Sequence, residues 1–218
     1  MKTNAFFFDN PCHRIIVRNF SHKSTTIFMP LDVSVDPMVD RVADTHFLIS
    51  APLGHLSLDN EIRVIFYVDS EPVDRELRDN EFQVVYEAGG PLEETFHQWA
   101  SSLVEFVRLM FFRLGMVSVD FADFLTVIYW SESKRLRFEK LPYDHHATVP
   151  YNKHTGPAYR TLYGCVAAGV GELSLGHFTD LQDACDLHNS DSIVSKIAMT
   201  FAEYDPPMMM LLGEPVAL

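Results

Sequence analysis

Residues 91–114 constrain the fold more than any other stretch of this sequence. Leu92, Phe96, Trp99, Leu103, Phe106, Val107, Met110 and Leu114 recur at the i, i+3/i+4, i+7 spacing that gathers side chains on one face of a helix. Gly90-Pro91 marks a start, Glu93 and Glu94 sit where the amide dipole favours negative charge, and Arg113 and Gly115 suit an end. Glu94, His97, Gln98, Ser101, Glu105 and Arg108 form the opposite, polar face. Towards the end Leu109, Phe111 and Phe112 replace the polar residues, so that end is apolar all round and needs covering, by the chain itself or by a partner.

The segments on either side read mainly as strands. Runs at 14–18, 25–29, 62–68 and 81–86 are rich in β-branched and aromatic residues, and 62–68 is apolar at nearly every position, which predicts a central strand. Between the last two lies a charged connector, 69–80, without apolar periodicity, which reads as a solvent loop. Asp36-Pro37 predicts a short helix over 37–45. Further on, 124–130 and 135–138 predict a hairpin turning at 131–133, and 142–160 predicts a long loop. Residues 163–175 read as a strand with a bend, and 180–188 as a helix begun by a capping box, Thr179-Asp180-Leu181-Gln182. The segment 191–204 fits both periods. Strands, one long helix, more strands and a short helix do not alternate as β-α-β units would. The fold class expected is therefore α+β: an antiparallel or mixed sheet packed against one long helix, residues 91–114, with a short C-terminal helix, all in one domain over 1–218.

Charge and cysteine usage narrow the function classes. The formal net charge is −13, from 30 acidic and 17 basic side chains, a field that repels phosphate backbones and argues against nucleic acid as a partner. Lys134, Arg135, Arg137 and Lys140 make the one compact basic strip, read as the solvated side of a hairpin. Three widely spaced cysteines without a Cys-x-x-Cys pair argue against a disulfide framework and a structural zinc, and for a reducing compartment. The apolar run near Phe6-Phe7-Phe8 is too short for a signal peptide, and no stretch is long and apolar enough to span a membrane. An intracellular location is expected, in the cytoplasm or within an assembled particle.

Histidine supplies the sharpest chemical pattern. His55-Leu56-Ser57-Leu58 and His146-Ala147-Thr148-Val149 both read His-apolar-hydroxyl-apolar, and in a strand residues i and i+2 point the same way. Two such strands side by side would present two imidazoles and two hydroxyls to one phosphate, one imidazole as base and one as acid. The pair of motifs resembles the signature of the two-histidine phosphoesterases, a superfamily acting on cyclic phosphodiesters and 2′,5′-linked RNA without metal. The resemblance implies catalytic roles for His55, Ser57, His146 and Thr148. Asp144-His145-His146, with His154 nearby, resembles the triplet of the DHH phosphoesterases and admits a metal reading; a histidine-rich surface loop is the simpler one. No Gly-x-Ser-x-Gly elbow, Walker loop or dinucleotide fingerprint appears, and Cys165 and Cys185 sit in apolar settings. No cofactor and no metal are expected.

The carboxyl end is the other distinctive feature. Asp205-Pro206-Pro207 stops the preceding element, and the residues that follow, from Met208 to Leu218, carry a single charge, Glu214. Left free, such a tail is poorly solvated, so it folds back as an edge strand or docks on a neighbouring subunit. On these features the sequence favours a non-enzymatic structural or protein-interaction subunit of a larger assembly, of the viral-particle kind, over an enzyme. Self-association or a protein partner would use Phe111, Phe112, Met208, Met209, Met210, Leu211 and Leu212. The alternative is the metal-independent two-histidine phosphodiesterase.

Overall fold

The computed structural model describes residues 13–28, 43–55, 62–88, 92–113, 115–143, 158–169, 171–172, 174–189, 191–202, 204 and 207–216. Among them the chain is a mixed α/β fold in which ten strands form one sheet flanked by three helices. In chain order these are β1 (His13–Asn19), β2 (Ser24–Phe28), β3 (Ala43–Ile49), β4 (Val64–Asp69), β5 (Glu81–Val85), α1 (Phe96–Phe112), β6 (Gly115–Val117), α2 (Phe121–Tyr129), β7 (Arg135–Pro142), β8 (Tyr159–Ala168), α3 (Leu175–His188), β9 (Val194–Phe201) and β10 (Met208–Pro215).

The sheet runs β2-β1-β3-β4-β5-β7-β10-β8-β9-β6. From β1 through β7 the neighbours are parallel, as are β8 and β9. The β2–β1, β7–β10, β10–β8 and β9–β6 pairs are antiparallel. All six residues of β4 are buried, which a strand covered on both faces requires and which its unbroken apolar run supplies.

One face of the sheet carries α1 and α2 together, so no single long helix covers it. The helix expected over 91–114 is shorter, because Thr95 is its N-cap. The Thr95 hydroxyl accepts from the Gln98 backbone at 3.5 Å, while the Thr95 N–H donates to the Gln98 side chain at 2.9 Å. Its apolar stripe packs Trp99 against Phe138 at 5.8 Å and Phe106 against Phe138 at 5.6 Å and Tyr163 at 6.0 Å, between ring centroids. The first arm of the expected hairpin is instead α2. Asp120 caps it by accepting from the Asp123 N–H at 2.8 Å, and Phe124, Val127 and Ile128 then fall on one buried face. The nearly unbroken apolar run 124–130 also suits a strand buried on both faces, and burial against Phe66 and Tyr163 at 6.1 and 5.0 Å from Phe124 decides for the helix.

The other face is covered in two places. Over β8, β9 and β10 lies α3, which is longer than expected and is followed by two strands, so it is not C-terminal. Its N-cap is Ser174, accepting from the His177 N–H at 3.2 Å; Thr179, expected to start the helix, lies inside it and donates back to the Leu175 carbonyl at 3.1 Å. Segment 191–204 resolves as a strand, β9. The second cover lies over β3 and β4, where Leu48, Ile65 and Tyr67 pack with Ile62, Phe20 and Leu77. Of the expected helix over 37–45, positions 43–45 open β3 and the rest lies outside the described residues.

The carboxyl-terminal run folds back on its own chain, as one of the two expectations has it, but as an interior strand rather than an edge strand or a docking tail. As β10 it lies inside the sheet, hydrogen-bonded to β7 on one side and β8 on the other, with Met208, Met209, Met210, Leu211 and Leu212 all buried. Met209 and Leu211 face the α3 side, Met210 and Leu212 the α1–α2 side, so a strand enclosed on both faces uses an uninterrupted apolar run. Gly213 lets β10 close on β8: a Cβ there would lie 1.9 Å from the Thr161 carbonyl oxygen. No helix among the described residues is long and apolar enough to cross a membrane.

Candidate functional site

The end of α2 and the turn into β7 form an open groove of about 430 Å³, lined by Leu125, Thr126, Tyr129, Trp130, Ser131 and Glu132. Its aromatic residues are presented rather than packed away. Tyr129 is 45% and Trp130 55% exposed. The Tyr129 hydroxyl donates to the Arg63 carbonyl at 2.5 Å, and its ring stands edge-on to Phe82 at 5.7 Å, so the phenol is fixed in place. Burial pushes that hydroxyl's pKa above its ordinary value, with the Arg63 charge opposing the shift and the Asp79 charge adding to it. Trp130 caps α2 through its backbone N–H, which donates to the Thr126 carbonyl at 3.2 Å.

Between the aromatics and the sheet sits Ser131, 4% exposed, whose hydroxyl has no hydrogen-bond partner among the described residues. A buried hydroxyl left unpaired costs about 1–3 kcal/mol, so a group that satisfies it is stabilised there by a comparable amount. The turn around it is held from below. Buried Glu214, the single charge of the carboxyl-terminal run, accepts from the Glu132 and Ser133 N–H groups at 3.1 and 2.7 Å. The Glu214 N–H donates in turn to the Thr161 hydroxyl at 3.2 Å. At the rim the Glu132 carboxylate takes both guanidinium nitrogens of Arg160, and those hydrogen bonds hold its pKa below the usual carboxylate range. Sequence reasoning missed the groove because Tyr129 and Trp130 were read as strand residues; two large aromatics leading into a polar turn were the available signal.

A second polar cluster lies under the other cover of the sheet, and it ties the segment 70–80, irregular and largely exposed as a solvent loop is expected to be, to the strands beside it. Arg75, its side chain 6% exposed, donates to both oxygens of Asp69 at 2.7 and 2.9 Å and to the Ala51 carbonyl at 2.6 Å. Its guanidinium also lies over the Tyr67 ring at 4.6 Å from the centroid. Gln83 donates to Asp69 and to the Val73 carbonyl, both at 2.9 Å. Glu81 is gripped by Arg78: burial raises the carboxyl's pKa, but the Arg78 hydrogen bonds and charge outweigh it and leave the value lowered. Tyr67 is pushed up to about 12 by burial and by the neighbouring Glu81 carboxylate. Every charge in this cluster is matched, so it stitches the segment to the sheet and leaves no group free for chemistry.

Of the four histidine-motif residues only His55 is placed; Ser57, His146 and Thr148 lie outside the described residues, as do Asp144, His145 and His154. The His55 ring stands edge-on to Phe20 at 4.8 Å, its carbonyl accepts from the Tyr67 hydroxyl at 2.9 Å, and burial together with Arg18 and Arg75 lowers its pKa against the opposing Glu81. Phe111 and Phe112 are half-buried: Phe111 is 4.5 Å from the His13 ring and 5.4 Å from Phe121 and Phe124, and Phe112 is 6.2 Å from His13. The five residues from Met208 to Leu212 are enclosed within the chain, as described above. Burial pushes the Cys165 and Cys185 thiols far up, which leaves them inert. No group of three or more metal-ligating side chains occurs among the described residues. The basic strip is matched by acids: Lys134 with Asp79, Arg135 with Asp74, Arg137 with Glu87 and Glu139, Lys140 with Glu94.

No family model matches the sequence, and a search of the curated proteins finds no match. Among solved structures the chain is similar to a mutant FtsZ from M. jannaschii, at 12% identity over 82% of this chain and 66% of that chain, with a TM-score of 0.49. It is similar also to CetZ from Methanosaeta thermophila, at 11% identity over 81% of this chain and 53% of that one, TM-score 0.46. For CetZ2 from Haloferax volcanii, in a GTPgS-bound protofilament, the figures are 11%, 79% and 65%, with a TM-score of 0.46. This chain thus spans between about half and just under two thirds of the length of those proteins. These named structures are FtsZ and CetZ proteins, not particle subunits or two-histidine phosphoesterases, and the two expectations are corrected to that extent. The features that motivated the first have another role: the methionine-rich run is sheet interior.

Proposed function

We propose that this chain binds a planar heteroaromatic ligand, a nucleoside or nucleotide by its chemistry, in the groove between α2 and β7. The observation that carries the reading is the exposed Trp130 beside the buried, unpartnered Ser131 hydroxyl. An indole face stacks on any base, and the Ser131 hydroxyl, closed off from solvent here, can pair with a base edge once the groove wall yields to the ligand. The groove is open, so the bound ring keeps one face in water; one stacking contact and one hydrogen bond suit a dissociation constant of roughly 10⁻⁴ M. The chain has two tryptophans, and Trp99 is buried, so quenching of the exposed indole reports on the groove. Titration with GTP, ATP, CTP and the parent nucleosides is expected to quench emission saturably in the native chain and not in Trp130→Ala. No saturable change with any of these probes overturns the reading.

A second reading, self-association, is favoured by one observation. β2 ends the sheet, its residues from Ser24 to Ile27 are exposed, and no described strand pairs with its outer edge. An open edge is a template for another chain. Sedimentation velocity over a range of concentrations, with and without GTP, tests it. Larger species weakened by Ile27→Lys support it, and a monomer at every concentration removes it.

A further inference from the structure

Two histidines outside the site described above meet on the surface. His22 lies in the turn joining β1 to β2, and His97 in the first turn of α1, far apart in sequence. Both are exposed, and their ring centroids are 4.8 Å apart, with the planes tilted by 46° rather than stacked. The turn is held in shape by the His22 N–H, which donates to the Asn19 side chain at 3.2 Å. On the other side the capping box formed by Thr95 and Gln98 fixes the start of α1. Each imidazole is therefore carried by backbone ordered for its own local reasons.

That separation has a meaning in coordination chemistry. An ion about 2.0–2.1 Å from one nitrogen of each of two imidazoles places the ring centroids roughly 4.5–5.2 Å apart, for bond angles between about 90° and 109°. The observed 4.8 Å falls within that window. We propose that His22 and His97 form a two-imidazole chelate for a divalent transition-metal ion, with water completing the coordination. Neutral imidazole suits Cu(II), Ni(II) and Zn(II), and affinity in that group is highest for Cu(II). The positive end of the α1 dipole opposes a cation at His97, so the coordinate bonds rather than the local field hold the ion. Over longer range the net charge of −13 raises the concentration of cations at the surface. The consequence is mechanical: the ion ties the β1–β2 hairpin, which ends the sheet, to the helix packed on the sheet's face. This inference is independent of the groove at Trp130.

The test uses the full chain with His145, His146 and His154 replaced by alanine, so that the histidine-rich segment contributes no binding. In that background isothermal titration with Cu(II), and separately Ni(II), is expected to show one equivalent bound. His22→Ala or His97→Ala is expected to weaken binding at least tenfold, and the double variant to abolish it. Zinc is expected to raise the melting temperature of the background but not of either variant. Both positions are exposed, so the metal-free melting temperatures should agree and a folding defect would be visible as a difference there. His177→Ala serves as a control and is expected to bind as the background does. Equal affinity in the double variant, or no binding in the background, overturns the assignment.

Discussion

His13 shows how one residue can set the response of the molecule to acid. It is 6% exposed at the start of β1, with Nε2 at 3.2 Å from the Thr45 hydroxyl and the rings of Phe111 and Phe121 within 4.5 Å. Desolvation lowers its pKa from 6.5 to about 4. The unfolded imidazole takes up its proton below pH 6.5 and the folded one does not until about pH 4, so the unfolded state binds more protons in that interval. Stability from this residue is complete above pH 6.5 and is lost as pH falls towards 4, a loss of order 3 kcal/mol. Urea unfolding between pH 7 and pH 4 should show that slope and a shallower one in His13→Phe; equal slopes would exclude His13 as the source. Ser131 makes the opposite kind of prediction. If its hydroxyl serves a ligand, Ser131→Ala should leave stability unchanged or raise it by about 1 kcal/mol, while weakening nucleoside quenching of Trp130. A substantial loss of stability in the urea midpoint would instead mean that the hydroxyl already has a structural partner.

At the scale of elements, segment 70–80 is held by buried charge. Asp69 and Arg75, each 6% exposed at 2.7 Å, lose their balance if one is removed, so Arg75→Ala should cost about 3–5 kcal/mol. Limited proteolysis is expected to open 70–80 in that variant first, and Asp69→Asn with Arg75→Met to recover much of the stability. If the single variant resists protease like the parent, the pair does not anchor the segment. How legible this was can be judged from neighbours. The strand at β4 and the stripe of α1 were readable, because an unbroken apolar run and a 3.6-residue period each have one good solution. The Arg75 contacts were not readable: an arginine in a charged connector looks solvated until the Asp69 it meets is known to be buried. The helix α2 is missed for a similar reason, since the nearly unbroken apolar run 124–130 also suits a strand buried on both faces, and the aromatic floor beneath Phe124 discriminates.

For the whole molecule the decisive element is the last strand. Deleting residues 208–218 removes β10 from between β7 and β8, leaving two interior edges unpaired and both core clusters exposed. Each buried Met or Leu lost there forfeits roughly 1.5–3 kcal/mol, against a typical total of about 5–15. The truncated chain is expected to lack a cooperative thermal transition and near-ultraviolet dichroism, and a folded monomer would contradict the placement. Amino-acid order by itself determined that this chain mixes strands with one well-formed amphipathic helix, that its carboxyl end must be covered, and that no Walker loop or dinucleotide fingerprint is present. Those are properties of period, polarity and residue type along a line. Tertiary structure alone decided that the carboxyl end is covered by its own sheet, that Tyr129 and Trp130 border a groove, and that His22 and His97 meet. Each depends on residues distant in sequence, where the energy of contact belongs to neither partner until the sheet has brought them together.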